Sequence, residues 1–489
     1  MDTAVVVVGA GPAGLMLAGE LRLAGVDVIV VEKLDRPSGE SRGLGFTVRT
    51  MEVLDQRGLL PRFGELTTTA NHHFGGLPLN LSGLDGAHLA NKSVLQSQTE
   101  EVLEKWVIDL GAEIRRGHEL LSLTQDGDAV EIEVRGPAGD YRLRCAYLVG
   151  CDGGRSKVRK SAGFDFPGTA ATMEMFLADV RGVRVQERKF GETVAGGLVM
   201  AGYLDDDLVR LIICEHGSAP KQRTGPAPFE EIAAAWTRLT GEDISAGTPV
   251  WTSAYGDSVR QVTSYRMGRV LLAGDSAHIH LPAGGQGMNV SIQDSVNLGW
   301  KLAAVVRGSA PDSLLDTYHT ERHPVGQALL KNTRAQGILF LGGFEVQPIR
   351  DVLVELIEFD SVRLHLSRMV SGLDIRYDMG EDGHPLLGRR MPHVDLVEHD
   401  RKTSTTELLH PGRGVLLDCA DDAGMRADAD PWADRVDTVT VTPLNESVNA
   451  PFYGASSFLI RPDGHVAWAS GGRTSVAAAL ERWFGPASR

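Results

Sequence analysis

Gly9, Gly11 and Gly14 stand as G-x-G-x-x-G directly after the apolar run 4–8 and directly before the apolar run 15–18. Between a strand and a helix, that spacing serves the binding of a dinucleotide. Gly9 permits the sharp turn, Gly11 lets the backbone approach a diphosphate, and Gly14 lets the helix close on the strand. The same turn, which also holds Ala13, points the helix dipole at the phosphates. Glu32 ends the next strand-like run, 26–31, apolar but for Asp27, and can accept hydrogen bonds from ribose hydroxyls. Its charge would repel a 2′-phosphate, so this end of the chain suits FAD or NAD rather than NADP.

A second constellation lies far downstream. Gly274-Asp275 follows the apolar run 270–273, and Pro282, Gly285, Gly287, Met288 and Asn289 lie in a Gly-rich turn before a long helical pattern. A cofactor long enough to reach from the first turn to this one accounts for both, which selects FAD. Asp275 can accept from a ribityl hydroxyl, and N–H groups around Gly285 and Gly287 can face the flavin edge where negative charge gathers on reduction. Taken alone, Asp275 reads equally as a cap and the glycines as a plain turn.

Other chemistry is thin. His278 with His280, and His72 with His73, invite a metal reading, but no third ligand stands at metal spacing, so no metal is expected. The cysteines, Cys145, Cys151, Cys214 and Cys419, include no C-x-x-C pair and read as buried free thiols. No Ser/His/Asp triad or carboxylate dyad stands out, and no catalytic base can be named. The 489 residues carry 49 Lys+Arg against 64 Asp+Glu, a net charge of −15, with no basic block. Nucleic acid and anionic membrane are therefore unexpected partners. The glycine-broken run from Ala4 is too short to span a bilayer, and Asp2 stands where a signal peptide carries Lys or Arg. With so few cysteines, a cytoplasmic location is expected, and a homo-oligomer is left open.

The elements that must position these residues follow from hydrophobic period and punctuation. A βαβ unit fills about the first thirty residues. Helices are expected over 49–58 and 99–110, and strands over 129–134 and 141–149. From 174 to 262, short strands such as 208–213 surround one helix at 229–239, which reads as a sheet-rich insertion. A strand over 270–275 returns to the first domain, followed by a helix over 288–307 and a helical region from 311 to about 375. Strands at 414–417, 436–441 and 457–460 and a helix at 475–483 form a small C-terminal α/β unit. The expected division is 1–173, 174–262, 263–394 and 395–489, a mixed α/β chain whose first and third segments form one Rossmann-type FAD-binding domain.

These residues, together with the run 151–159 (Cys-Asp-Gly-Gly-Arg-Ser-Lys-Val-Arg), resemble the three signatures of the group A flavoprotein monooxygenases, with the para-hydroxybenzoate hydroxylase fold. The runs 40–46 and 461–468 extend the likeness to the aromatic polyketide hydroxylases, most closely those acting on angucyclines. The resemblance implies that Asp152 and Gly153 serve FAD and the nicotinamide cofactor, that Gln98 contacts the flavin, and that Arg42 lies close to it. It also implies that Pro282 lines the flavin pocket, that residues 74–76 lie near the substrate entrance, and that the C-terminal unit is thioredoxin-like. From sequence alone Arg42 reads equally as a surface cation, spacing favours Asp152 as a turn residue, and Pro282 also reads as a turn proline.

The implied reaction is hydroxylation of a polycyclic aromatic polyketide, an angucyclinone at C12, in antibiotic biosynthesis. NADPH, or NADH, is the transient reductant, O2 the co-substrate, and a C4a-hydroperoxyflavin the oxidant. Arg155, Lys157, Arg159 and Lys160 form a basic cluster that could hold a 2′-phosphate. Candidate cavity walls in the inserted domain are Met175, Phe176, Leu198, Met200, Val209, Leu211, Ile213 and Trp251, although strand alternation does not separate wall from core. The alternatives are hydroxylation of an anthracycline or tetracycline precursor and a non-catalytic partner that binds flavin and polyketide. A flavin-dependent halogenase is disfavoured because no W-x-W-x-I-P tract occurs.

Overall fold

The computed structural model describes residues 1–488 except 69–71, 82, 85–90, 224, 381–382 and 445–451. Its central sheet has the strand order Arg266–Met267, Val270–Leu272, Gly139–Gly150, Thr3–Val8, Val28–Glu32, Glu113–Arg116, with Val130–Gly136 and Glu119–Gln125 branching from Gly139–Gly150. Thr3–Val8 runs parallel to both neighbours, Val8 standing beside Val31 on one side and Gly150 on the other. Covered on both faces, it reads as an unbroken valine run rather than an alternating one. Gly150 in turn pairs with Leu272. Val8, Val31, Gly150 and Leu272 thus stand level on four parallel strands, and the next residues are Gly9, Glu32, Cys151 and Ala273. Ligands of such sheets bind outside the carboxyl ends of the strands.

Helix Pro12–Leu23 packs on the long helix Gly287–Val306, whose interior is buried along most of its length. Gly299 allows the approach, since a Cβ there would lie 2.4 Å from that of Glu20. A five-stranded antiparallel sheet, ordered Arg188–Val194, Gly197–Tyr203, Leu208–Glu215, Glu174–Arg181, Thr248–Gly256, carries helix Phe229–Thr240 on one face. Helices Asp316–Leu341, Gln347–Ile357 and Asp360–Ser371 follow the long helix, the region after Pro311 being broken at Gly342-Gly343. The C-terminal sheet is ordered Val436–Thr440, Gly414–Asp418, Ser457–Ile460, Val466–Ala469, with helices Ala423–Ala429 and Val476–Phe484.

Two features depart from the patterning. The expected strand over 270–275 ends at Leu272, because Gly274 takes φ +61° and the chain turns through Gly274–Ser276. A three-stranded sheet of Gly168–Thr169, Val259–Gln261 and His278–Ile279 joins the insertion to the Gly-rich loop 280–287 through strands too short to leave a period.

Candidate functional site

At the first turn, a Cβ on Gly9 would lie 2.4 Å from the Cys151 carbonyl oxygen, and one on Gly14 would lie 1.9 Å from that of Gly9. Both close the helix onto the sheet. Gly11 differs: nothing lies within 4 Å of where its Cβ would be, and no side chain caps the helix that begins at Pro12. Open space in front of uncapped helical N–H groups fits a diphosphate. Ala13 is buried behind it, its carbonyl accepting from Ser295 Oγ at 2.8 Å. Glu32 is fixed by the N–H groups of Ala10, 2.8 Å from Oε2, and Leu34, 2.9 Å from Oε1, with lone pairs remaining for ribose hydroxyls.

At the second turn, Asp294 holds the backbone from below. Its Oδ2 accepts from Gly274 N–H at 3.2 Å and lies 2.8 Å from His278 Nε2, while Oδ1 accepts from Arg322 Nε at 2.6 Å. Burial alone would raise the Asp294 carboxyl, but Arg322 and then His278 bring it below the ordinary range. His278 is therefore a packing residue. Asp275, between buried neighbours, is itself exposed and has no hydrogen-bond partner among the described residues. That leaves its carboxylate available to a ligand hydroxyl.

Pro282 and Gly285 are exposed on the loop, closed by Gly285 N–H donating to the Pro282 carbonyl at 3.2 Å. Gly287 opens the long helix without a side-chain cap. Asn289 is buried and structural: Oδ1 accepts from Thr47 N–H at 2.9 Å, and Nδ2 donates to the carbonyls of Gly45 at 3.1 Å and Gly285 at 2.9 Å. Met288 packs against Gly43. His280, which sequence reasoning set aside, stands with Nε2 3.5 Å from where a Gly287 Cβ would be. Its Nδ1–H donates to the Leu281 carbonyl at 2.7 Å, and burial followed by the neighbouring His278 lowers its pKa, so Nε2 is an acceptor at neutral pH.

Asp152 is fully engaged within the protein. Oδ1 accepts from Ser156 Oγ at 2.5 Å and Ser276 Oγ at 3.1 Å, and Oδ2 from the N–H groups of Lys157 at 2.6 Å and Val158 at 3.1 Å. Gly153 N–H donates to Ser276 Oγ at 3.1 Å. Arg159 does not belong to the basic cluster. It is buried, donates to the carbonyls of Ser276 at 2.9 Å and Gly154 at 2.8 Å, and lies 3.8 Å over the Phe166 ring, whereas Arg155, Lys157 and Lys160 are exposed. Gln98 is half-buried, its Nε2 donating to the Phe63 carbonyl at 3.3 Å. Arg42 is 67% exposed, with Glu40 4.0 Å away.

The five-stranded sheet sorts the candidate walls. Phe176, Val209, Leu211 and Ile213 pack with Trp236 under the helix and form core, not wall. The opposite face carries Met175, Leu198, Met200 and Cys214, which meet Leu281 and Ala283 of the Gly-rich loop 280–287 in one apolar cluster. Four residues along the strand from Cys214, ~13 Å away by strand rise, Arg210 pairs with Asp179 through two bonds of 2.7 Å. Trp251 Nε1 also donates to Asp179, at 2.7 Å, and the buried Arg210 Nη1 has no partner.

Among the described residues no group of three His, Cys, Asp or Glu is placed to hold a metal ion, and no helix is long and apolar enough to cross a membrane. Burial pushes the Cys419 thiol up to about 11, opposite to what thiolate chemistry needs. The C-terminal unit instead inserts its 461–465 turn against the FAD-binding helices. Arg461 bonds Glu321 at 2.6 and 2.8 Å, Asn297 Nδ2 donates to Asp463 at 3.1 Å, and Arg57 and Arg49 donate to the carbonyls of Pro462 and Asp463, each at 2.8 Å.

The chain matches the FAD binding domain family over residues 2–333 and the aromatic-ring hydroxylase C-terminal family over residues 384–487. It is 42% identical to the 12-dehydrotetracycline 5-monooxygenase/anhydrotetracycline 6-monooxygenase of Streptomyces rimosus, over 99% of each chain. The structure of CabE, an aromatic hydroxylase from angucycline biosynthesis, is similar at TM-score 0.98 and 62% identity, over 100% of both chains. That of BexE, studied for oxidation in BE-7585A biosynthesis, is similar at TM-score 0.95 and 60% identity, again over 100% of both. An open, uncapped turn at Gly11, a free carboxylate at Asp275 and this likeness along the whole length agree, and the chain belongs to the group A FAD-dependent aromatic hydroxylases of the para-hydroxybenzoate hydroxylase fold.

Proposed function

We propose that this chain hydroxylates an angucyclinone at C12 in antibiotic biosynthesis, with NADPH as reductant. The observation that carries the reading is the sheet face running from Cys214, which packs with Leu281 and Ala283, to Arg210, apolar at the first end and ending in an unpaired donor at the second. Its ~13 Å length suits a flat tetracycle with a carbonyl or hydroxyl at the far end. The 62% identity to an angucycline hydroxylase supports the substrate class. One turnover converts an aromatic C–H, O2, NADPH and a proton into a phenolic C–OH, water and NADP⁺.

FAD, when bound, supplies hydride acceptance and oxygen activation. Gly11 and the uncapped helix behind it hold the diphosphate, Glu32 the adenosine ribose and Asp275 the ribityl chain. The N–H groups at Gly287 balance negative charge on the flavin edge. Leu281, Ala283, Met175 and Leu198 keep water from the ring to be oxidised. Arg155, Lys157 and Lys160, exposed beside the Asp152 turn, offer the nicotinamide coenzyme its 2′-phosphate contact. The reading is tested by NADPH consumption in air with and without an early angucyclinone, with mass analysis of the product. Substrate-stimulated consumption with one added oxygen atom supports it, whereas unstimulated consumption yielding only peroxide overturns it.

A further inference from the structure

The strand register arranges in rows the sheet face that meets the Gly-rich loop 280–287. Tyr255 stands beside Met175, Met175 beside Cys214 and Cys214 beside Leu198. Tyr255 thus takes the outer place, on the edge strand Thr248–Gly256, in the row that packs with Leu281 and Ala283. Tyr255, Met200 and Ile212 stay half-buried although the loop and the end of helix Asp316–Leu341 cover this face. A close-packed seam would bury them, so open space remains between the sheet and the loop.

Tyr255 carries the only hydroxyl in its row. A buried tyrosine O–H ordinarily finds a partner, but Tyr255 Oη has none among the described residues and keeps accessible surface. Two cations act on it from different domains: Arg210, two rows along the sheet, and Arg42, one residue before Gly43, which packs on Met288. Arg210 is engaged by Asp179, whereas Arg42 has Glu40 at 4.0 Å. Burial, followed by the Cys214 thiol, raises Tyr255 above the ordinary tyrosine range and the arginines only moderate the rise, so the hydroxyl is a donor at neutral pH. The carboxylates of the adjoining segments are spent elsewhere, Asp257 on Thr172 and Met173 and Glu174 on Arg223.

We propose that Tyr255 anchors the substrate at the loop end of this face, its O–H donating to the phenolic oxygen of the ring to be hydroxylated. The inference rests on the hydroxylase reading and adds to it the residue that holds the reacting ring. Met175 and Leu281 offer that ring apolar contact, and the rest of a flat body extends along the rows of Ile212 and Arg210. A hydroxyl donor with the charge of Arg42 nearby favours the anionic form of the phenolic oxygen. The phenol proton goes to water, and the charge left behind spreads to the ring carbons ortho and para to the oxygen, which are the carbons to be oxidised.

The test is difference spectroscopy of 2-hydroxyanthraquinone, which changes colour when its hydroxyl ionises. It is titrated into the FAD-loaded, oxidised protein without reductant, between about pH 6 and pH 9. Tyr255→Phe removes a hydroxyl that no described protein group uses, so it should melt at the wild-type temperature. It is expected to bind the ligand about tenfold less tightly and to ionise it about one pH unit higher than wild type does. Anthraquinone, which lacks the hydroxyl, should bind the two proteins alike. Equal affinity and ionisation of 2-hydroxyanthraquinone in both proteins, or binding to neither, overturns the proposal. An equal loss of anthraquinone binding also overturns it, since Tyr255 would then act by packing alone. Wild-type turnover of an angucyclinone is measured beside this: turnover with unchanged ligand binding in Tyr255→Phe drops the anchor and keeps the hydroxylase reading, whereas Tyr255-dependent ionisation without turnover removes the hydroxylase reading instead.

Discussion

Asp152 Oδ1 accepts a hydrogen bond from Ser276 Oγ at 3.1 Å, so the carboxylate that follows strand Gly139–Gly150 fastens the turn that presents Asp275. The two aspartates therefore differ: Asp152 is spent on positioning, whereas the Asp275 carboxylate is left open for the ribityl contact proposed above. Asp275→Ala is expected to fold normally and to retain FAD about ten- to hundredfold less tightly, the cost of one charge-assisted hydrogen bond. Asp152→Ala should weaken FAD and also lower the melting temperature of the flavin-free protein, because a turn and a helix cap come loose. Flavin titration beside thermal melts separates the two, and an Asp275→Ala protein that keeps full flavin through gel filtration would sink the ribityl assignment.

The glycines of the first turn should fail in different ways. Gly14→Ala places a methyl group 1.9 Å from the Gly9 carbonyl oxygen, so the strand–helix junction must shift and little folded protein is expected. Gly11→Val places its side chain in open space, so the protein should fold and lose FAD. Circular dichroism with flavin absorbance reads both, and FAD retained at wild-type affinity in Gly11→Val would place the diphosphate elsewhere.

How legible this was in the sequence depends on whether the signal is local. The first turn could be read because a valine strand, three glycines and a helix lie side by side in the chain, and the strand ends that gather Glu32, Asp152 and Gly274 follow from a parallel sheet. The sheet face could not be read. Alternation shows that Val209, Leu211 and Ile213 share a side, but only the placement of helix Phe229–Thr240 makes that side core. Spacing grouped Arg159 with its exposed neighbours because a linear charge run carries no burial. The hydrogen bonds that run from Gly75 N–H through Gln336 and Asn332 to Gln286 join three distant segments and leave no mark at any of them.

Arg210 offers a test of substrate placement. Arg210→Lys keeps a cation for the buried Asp179 but removes Nη1, so the fold should survive while the far-end contact is lost. A rise in KM for a tetracyclic substrate of about tenfold is expected, with substrate-free NADPH oxidation unchanged. Steady-state kinetics decide, and an unchanged KM would remove Arg210 from the substrate site.

The proposed preference for NADPH rests on the corrected cluster. With Arg159 occupied by backbone carbonyls, Arg155, Lys157 and Lys160 remain for a 2′-phosphate. Arg155→Ala combined with Lys157→Ala should raise KM for NADPH about tenfold at low salt and leave NADH untouched. Equal efficiency with both coenzymes in the wild type would sink the assignment.

The buried latch at the C-terminal unit should make the protein acid-labile. His465 packs against Tyr377, ring centroids 4.2 Å apart and tilted by 30°, and is bonded to the Gly388 carbonyl at 3.0 Å, and burial pushes its pKa down to about 3. Glu321, though burial opposes it, is brought down to about 2 by Arg461 and Lys301. For both groups the folded pKa lies below the unfolded one, so the native state binds fewer protons than the unfolded chain in the interval between them. Their contribution is complete above the unfolded value and is lost as pH falls, for His465 from about 6.5 toward about 3 and for Glu321 from about 4.5 toward about 2. His465 alone accounts for ~3–5 kcal/mol over that range, chiefly because an imidazolium would be cut off from water there, with Arg49 and Arg461 beside it opposing the charge further. Thermal melts between about pH 7 and pH 4 should show a steep fall in wild type and a shallower one in His465→Asn, whose neutral side chain has no proton to gain. Parallel curves for the two proteins would mean that His465 is not the group that loosens the latch.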